Sequence, residues 1–399
     1  MTTTAEQMRH WRGPALFTYG FRPFFLGATL WAALAMVLWL LALGGWLATP
    51  GALDPVAWHA HELVFGYLLA VIAGFLTTAV PNWTGRMPIV GWPLAGLFGL
   101  WLLGRVVVAL PAGLPWLAVA LIDLSFGTVF AAAIAREIIA GKNWRNLVVL
   151  GLLGLLILGN ALFHWEAMQG AAPAQGLGLR LGLGAGIMMI GLIGGRIVPS
   201  FTRNWLARRG PGALPVPPAQ RFDLAALLAL LAAVLLWIAA PDSAATAGVL
   251  ILAGALHLVR LSRWCGHLTG AEPLLWILHL GYAFVPLGAL ALGLAILRPD
   301  LLAAGAALHL WLAGAVGAMT LAVMTRATLG HTGQPLSAGV GTQALYLLLL
   351  AAVLGRFLAG LVPVLAPPLH MVSALGWIGA MAGFSLLYGP ALLRARTHA

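Results

Sequence analysis

Charge is scarce in this sequence and cysteine almost absent. Of 399 residues only 8% are Asp, Glu, Lys or Arg, against about a quarter in an ordinary soluble domain. A chain this poor in charge cannot solvate a surface on every side, which excludes a soluble globular protein and makes the lipid bilayer its expected partner. Cys265 is the single cysteine, so no intrachain disulfide, iron-sulfur cluster or multi-thiolate metal site can form, and no CxxCH haem attachment is present. A nucleotide-binding fingerprint is also missing. The net charge of +11, from 21 basic and 10 acidic residues, would suggest a nucleic-acid partner in a soluble protein. Here the bases sit in short loops between apolar runs, topology accounts for them, and no nucleic acid is expected.

What the sequence has in abundance is apolar length: 62% of it is hydrophobic, in windows of about 20 residues that recur along the whole chain. The reading is an all-α polytopic membrane protein, a single integral domain over 1–399 with twelve spans. These are expected near 24–47, 57–80, 91–110, 115–139, 147–164, 177–198, 223–240, 244–260, 273–297, 301–323, 340–360 and 368–389. The first run follows Arg9, Arg12 and Arg22 without a persuasive A-x-A-like cleavage site behind it, and is read as a retained span. If the N-terminus is cytoplasmic, 17 of the 21 bases fall on that side, Arg298 alone falls in an opposite loop, and Arg105, Arg180 and Arg356 lie in or at the ends of spans. That bias places both termini in the cytoplasm. Spans seven and eight are the weakest, because "AAPDSAATAG" leaves only a short turn between two short helices. The 17 tryptophans, many near span ends, look like interface anchors.

Three spans end alike: "TTAVPNWTGR" (77–86), "GGRIVPSFTRNW" (194–205) and "AVMTRATLGHTG" (322–333). The recurrence, about 120 residues or four spans apart, suggests three four-helix units around an axis; the alternative is that every helix needs a polar, arginine-bearing cytoplasmic end.

Histidines mark the candidate sites. A neutral imidazole enters a membrane at tolerable cost and can ligate haem iron, copper or zinc while its other nitrogen is held by an acceptor. In "WHAHE", His59 and His61 are two apart, so on a helix they point about 200° from each other, and His61 is the better ligand candidate. Glu62 shares a face with His59 and is read as its hydrogen-bond partner or a proton-relay group, with helix N-terminal stabilisation as the alternative. His309, about eight residues into span ten and so roughly 12 Å deep, is the first partner to seek for His61, and one of the two is the expected haem ligand. His257, His279 and His331 form an inner group read as a copper or second haem site. Tyr282, three residues from His279, is a candidate proton donor beside it. Arg196 and Arg326, closing spans six and ten, are candidates for clamping haem propionates, or simply snorkel to the interface.

The segment "WHAHELVFGYLLAVIAGFLTTAVPNWTGR", with "GGRIVPSFTRNWL", "GAMTLAVMTRATLGHTG" and the opening "LFTYGFRPFFLGA", resembles the NnrS family of bacterial inner-membrane proteins associated with nitric oxide metabolism and nitrosative stress. The likeness covers nearly the whole chain. It implies a twelve-span protein containing haem b and copper that protects the cell against nitric oxide or its iron-nitrosyl products, with the family's histidines falling on His59, His61 and His331. Twelve spans and histidine layers also invite comparison with haem-copper oxidases, but an adjacent His-His pair and their spacing of tyrosine and histidine are missing, so the analogy is architectural.

The function expected is a membrane haem protein that binds nitric oxide or reduces it to nitrous oxide. Electrons would come from a quinol or a separate donor protein, and Glu62 or Tyr282 would help to deliver protons. A non-enzymatic haem or copper sensor and a membrane transporter are the alternatives; the same-orientation recurrence every four spans argues against the inverted repeats common in transporters.

Overall fold

A hydrophobic stretch in lipid must satisfy its backbone internally, and a helix does so within one segment. In a computed structural model describing residues 11–48, 53–86, 88–110 and 113–395, every regular element is accordingly helical. Arg9 and Arg396, counted above for orientation, lie outside the described residues. Twelve helices are long and apolar enough to cross a membrane. In chain order they are α1 Phe21–Leu43, α2 Pro55–Thr84, α3 Trp92–Ala109, α4 Trp116–Ala140, α5 Trp144–Met168, α6 Leu177–Ala207, α7 Arg221–Ala239, α8 Ala244–Ser262, α9 Pro273–Leu297, α10 Ala304–Thr332, α11 Val340–Ala359 and α12 Pro363–Leu393.

All twelve expected spans are present, including the doubtful pair α7 and α8. Their starts are well specified. Asp54 caps α2 by accepting from the Val56 and Ala57 amides at 2.9 and 3.0 Å, with Pro55 at the first position. Gln220 and Asp223 form a capping box at α7, and Ser243 accepts from the Thr246 amide at α8. Boundaries differ where proline misleads. The expected spans two and six stop near Pro81 and Pro199, yet α2 and α6 run through both residues, because a proline costs one N–H bond without ending a helix that neighbours hold in place.

Among the described residues, three of the membrane-length helices contain a π-helical segment. Glu62–Leu68 in α2, Ile190–Gly194 in α6 and Leu310–Ala318 in α10 are π-helical. These are the second, sixth and tenth spans, and they are also the most deeply packed, with 83%, 72% and 78% of their central windows buried against 33–56% for the others. The four-span recurrence of the sequence therefore reappears in backbone conformation and burial. Wide π turns concentrate at functional sites, since they redirect side chains and expose carbonyls.

By contact the chain divides into two compact units. The first comprises residues up to Ala185, with His331–Gly333 and the chain from Met381 onward. The second comprises Gly186–Gly330 and Gln334–Ala380. In the first unit, Arg22 at the start of α1 donates through Nη1 to the carbonyls of Leu392 (3.0 Å) and Arg394 (2.6 Å), giving that buried guanidinium the orphan carbonyls of a helix end. Helices α5 and α6 meet at glycines. A Cβ on Gly178 would lie 2.3 Å from the Phe163 amide, and one on Gly159 would lie 2.6 Å from the Gly182 amide. Gly178 and Gly182 thus form the small-xxx-small contact by which membrane helices pack without a hydrophobic driving force. In the second unit α11 and α12 cross similarly, with Gly376 against the Leu348 carbonyl.

Replacing Gly178 by Leu should destabilise the detergent-solubilised protein by about 1–3 kcal/mol, read as a lower thermal unfolding temperature. Gly151→Ala in the same α5 meets no atom within 4 Å and should leave that temperature unchanged.

Candidate metal centre

The first unit buries a cluster of charged side chains, drawn from α2, α3, α4 and α5. His61 and Glu62 are fully buried, and Arg105, Asp123, Asn160 and His164 are at most 3% exposed. Arg105 bridges the two carboxylates: Nη1 donates to Glu62 Oε2 at 2.6 Å and Nη2 donates to Asp123 Oδ1. Trp31 Nε1 adds a second donor to Glu62 Oε2 at 2.7 Å. The opposite carboxylate oxygens face histidine. His61 Nδ1 donates to Glu62 Oε1 at 2.9 Å, and His164 Nε2 donates to Asp123 Oδ2 at 3.0 Å.

Hydrogen-bond bookkeeping assigns the remaining protons. Asn160 Nδ2 donates to Asp123 Oδ2 at 2.8 Å, so its Oδ1 faces His61 Nε2 at 2.9 Å. His61 therefore has an acceptor on each ring nitrogen, and only the doubly protonated ring satisfies both. Two cations, Arg105 and His61, then balance two anions, Glu62 and Asp123. Such a set is tolerable in a low-dielectric interior because its charges balance and every carboxylate oxygen accepts at least one hydrogen bond, although Arg105 Nε and His164 Nδ1 have no partner.

Local backbone makes the room. The π turn that begins at Glu62 carries Gly66, whose Cβ would lie 2.7 Å from Arg105 Nη1 and 3.0 Å from Glu62 Oε2; on α3, a Cβ at Gly104 would lie 2.8 Å from Asp123 Oδ1. Two glycines thus let the ion pairs lie directly against backbone. Phe65 and Phe163, with ring centroids 5.5 and 5.4 Å from that of His61, close the apolar side.

One ligand atom from each of His61, Asp123 and His164 lies within 4.8 Å of the other two, so this cluster can hold a metal ion. The separations of Asp123 Oδ2 from His61 Nε2 (3.3 Å) and His164 Nε2 (3.0 Å) approach the roughly 3.3 Å between donors that sit about 2.0–2.1 Å from a tetrahedral ion. Two histidines and a carboxylate suit copper, zinc or non-haem iron. Glu62 on His61 Nδ1 supplies the outer carboxylate that orients a ligating imidazole.

The other sequence candidates lie outside this cluster. Glu62 accepts from His61, Arg105 and Trp31, while the His59 ring stacks on Trp39 at 4.1 Å. His309 belongs to the second unit, half-buried, with Nδ1 donating to the Gly305 carbonyl at 2.6 Å. The members of the inner trio fall in different units. His331 packs in the first unit against Phe21 and Tyr19, ring centroids 5.4 and 6.2 Å away. His257 and His279 lie in the second unit. His257 uses both nitrogens, accepting from Tyr282 and donating to the Ala226 carbonyl. His279 donates through Nε2 to Thr202 Oγ1 at 2.8 Å, and its buried Nδ1 has no partner. Tyr282 pairs with His257 rather than His279. Arg196 is exposed, and Arg326 places its guanidinium 4.3 Å from the Phe201 ring centroid.

Sequence reasoning passed over Asp123, Arg105, Asn160 and His164. A signal existed: Asp123 and Arg105 are isolated charges within apolar spans, which mark functional sites by default, and Asn160 and His164 are four apart on one helical face.

Arg105→Met, which leaves two buried carboxylates against one cation, should cost about 3–5 kcal/mol of stability in thermal unfolding of the purified protein. Adding Glu62→Gln should recover part of the loss, since it removes the one uncompensated charge.

The NnrS family model, described as NnrS protein, matches residues 15–396, and no curated protein matches the chain. A multi-pass protein with twelve membrane-length helices accords with a place in a bacterial inner membrane. Since the match covers nearly the whole sequence, the chain belongs to the NnrS family.

Proposed function

We propose that this protein is a membrane metalloprotein of nitric oxide metabolism, with His61, Asp123 and His164 holding a copper or iron ion. The observation that carries the reading is the buried His-Asp-His cluster with ligand atoms within 4.8 Å. The nitric oxide assignment comes from family membership and the resemblance described above. When bound, the ion supplies a coordination position for a diatomic ligand and a one-electron couple.

The chain's own residues do the rest. A bound ion would take the place of the proton on His61 Nε2, while Nδ1 keeps its proton on Glu62 Oε1, and His164 would carry its single proton on the unpartnered Nδ1 so that Nε2 is free to ligate. Arg105 holds the second Asp123 oxygen and offsets its charge. Glu62, accepting from His61, Arg105 and Trp31, holds the ligating imidazole in orientation. Nitric oxide, apolar and diatomic, partitions into the bilayer and reaches the buried cluster without an aqueous channel. In the catalytic form of the proposal, two nitric oxide molecules take up two electrons and two protons to give nitrous oxide and water. A quinol or a separate protein is the electron source. The surroundings of His279 do not fit the haem that the family implies: Nε2 is engaged by Thr202, and a Cβ on Gly266 would lie 2.7 Å from the unpartnered Nδ1, so backbone already packs against that nitrogen.

A second reading rests on the two acceptors around His61. A doubly protonated ring has no lone pair for a metal, and the balanced cluster would then be a proton-handling or structural network, as in a transporter.

Elemental analysis of the purified protein separates the two. About one copper or iron per chain is expected, falling at least tenfold in Asp123→Asn and His164→Ala and about 10- to 100-fold weaker in affinity in Glu62→Gln. Arg298→Gln, an exposed residue paired with Asp300, should retain the metal. A folded protein with no metal would favour the second reading. Nitrous oxide formed anaerobically from nitric oxide and a quinol would distinguish an enzyme from a sensor, which would show the optical change of nitric oxide binding alone.

A further inference from the structure

The second unit contains a buried polar chain that the metal site does not use. Asp223 and Arg260 pair through Oδ1 and Nε at 3.0 Å. Arg260 Nη1 donates to the Tyr282 hydroxyl oxygen at 2.7 Å and to the Gly191 carbonyl, in the π segment of α6, at 3.0 Å. His257 Nε2 lies 3.0 Å from the Ala226 carbonyl, which only accepts, so that nitrogen carries the ring proton. Nδ1 is then the lone pair, and the Tyr282 hydroxyl donates to it at 2.9 Å. Tyr282 and His257 are fully buried, and Arg260 and Asp223 are 2% and 3% exposed.

Every hydrogen bond in this chain has one direction, from Arg260 to Tyr282 to His257 to the Ala226 carbonyl. The last member decides what the chain can do. A backbone carbonyl does not take up a proton, so nothing handed to His257 travels further, and the arrangement cannot serve as a wire across the membrane. A proton that leaves Tyr282 can only return. Reversible local transfer of this kind is what a phenol needs when it gives up an electron and later regains it, because the neutral radical forms only if the hydroxyl proton has a base at hydrogen-bond distance. Trp264, 2% exposed, packs edge-on against Tyr282 with ring centroids 4.6 Å apart, and Arg260 stands over its ring at 5.3 Å. A second oxidisable ring therefore adjoins the first.

We infer that Tyr282 is a redox-active tyrosine, with His257 as its proton acceptor and Trp264 as the adjoining electron-transfer partner. In the step, a one-electron metal oxidant takes an electron from Tyr282. The O–H bond breaks, and the proton bonds to His257 Nδ1, giving a neutral phenoxyl radical and an imidazolium whose Nε2–H stays on Ala226. Reduction returns the electron and the proton together. Arg260, tied to Asp223, keeps the phenol oxygen directed at His257, and is a positioning residue.

The test uses the full-length protein in lipid nanodiscs, with photo-oxidised ruthenium tris(bipyridine) as the metal oxidant and persulfate as the sacrificial acceptor, followed by freeze-quench electron paramagnetic resonance. A neutral tyrosyl radical is expected, reduced at least fivefold in Tyr282→Phe and in His257→Gln. Site-specific 3-fluorotyrosine at 282 keeps the hydroxyl and its hydrogen bonds, so it remains informative if the Phe variant misfolds; the radical should then carry fluorine hyperfine splitting. The inference is overturned by the absence of a tyrosyl radical, by a radical without fluorine splitting, or by a yield that His257→Gln leaves unchanged.

Discussion

Two carboxylates buried among apolar helices set the terms for the first unit. An isolated carboxylate in such surroundings would cost many times the net stability of a domain, so Glu62 and Asp123 oblige the protein to bury matching cations within hydrogen-bonding distance. Arg105 answers with a planar fork that reaches one oxygen of each, and His61 completes the balance. The glycines at 66 and 104, the π turn at Glu62 and the positions of α3, α4 and α5 all follow from the need to bring these groups into contact with no water between them. The same closeness places two imidazoles and a carboxylate oxygen where a metal ion can take them up.

Backbone irregularity and close helix approach work together here. In an apolar solvent, association of helices depends on packing and hydrogen bonds rather than on expulsion of water, which explains why glycines occupy the crossings of α5 with α6 and of α11 with α12. The π turns have a different consequence. They release carbonyls from the regular ladder to side-chain donors: Gly66 accepts from Trp101 Nε1 at 3.0 Å, and Gly191 accepts from Arg260. Each helix is pinned to its neighbour at the point where its own geometry is weakest, and in both cases a charged cluster adjoins the pin.

The two buried networks differ in a way that bears on their chemistry. The cluster around His61 is closed and branched: every carboxylate oxygen has a donor, and a metal can enter by displacing protons. The chain around Tyr282 is linear and ends on a backbone carbonyl. One is suited to holding a cation, the other to moving a single proton by one hydrogen bond and taking it back. Both place histidine at the decisive position, with opposite protonation demanded by what lies on its two nitrogens.

Composition and apolar run length by themselves determined that this is an all-α membrane protein of twelve spans, because in hydrocarbon the backbone has no other way to satisfy its polar groups. Long motifs such as "WHAHELVFGY" were enough to reveal the family. Glu62 and His61 were legible as candidate site residues from being titratable at the head of an apolar run. What stayed hidden was partnership. Helical periodicity assigned Glu62 to His59 and Tyr282 to His279, since it relates residues within one helix only. The partners that the structure supplies, Arg105, Asp123, Asn160 and His164 for the first site and His257 and Arg260 for the second, come from other helices 22 to 103 positions away. Which imidazole is doubly hydrogen-bonded, which is neutral and which keeps an open lone pair depends on those neighbours, and only tertiary packing, by deciding which acceptor faces each nitrogen, could settle it.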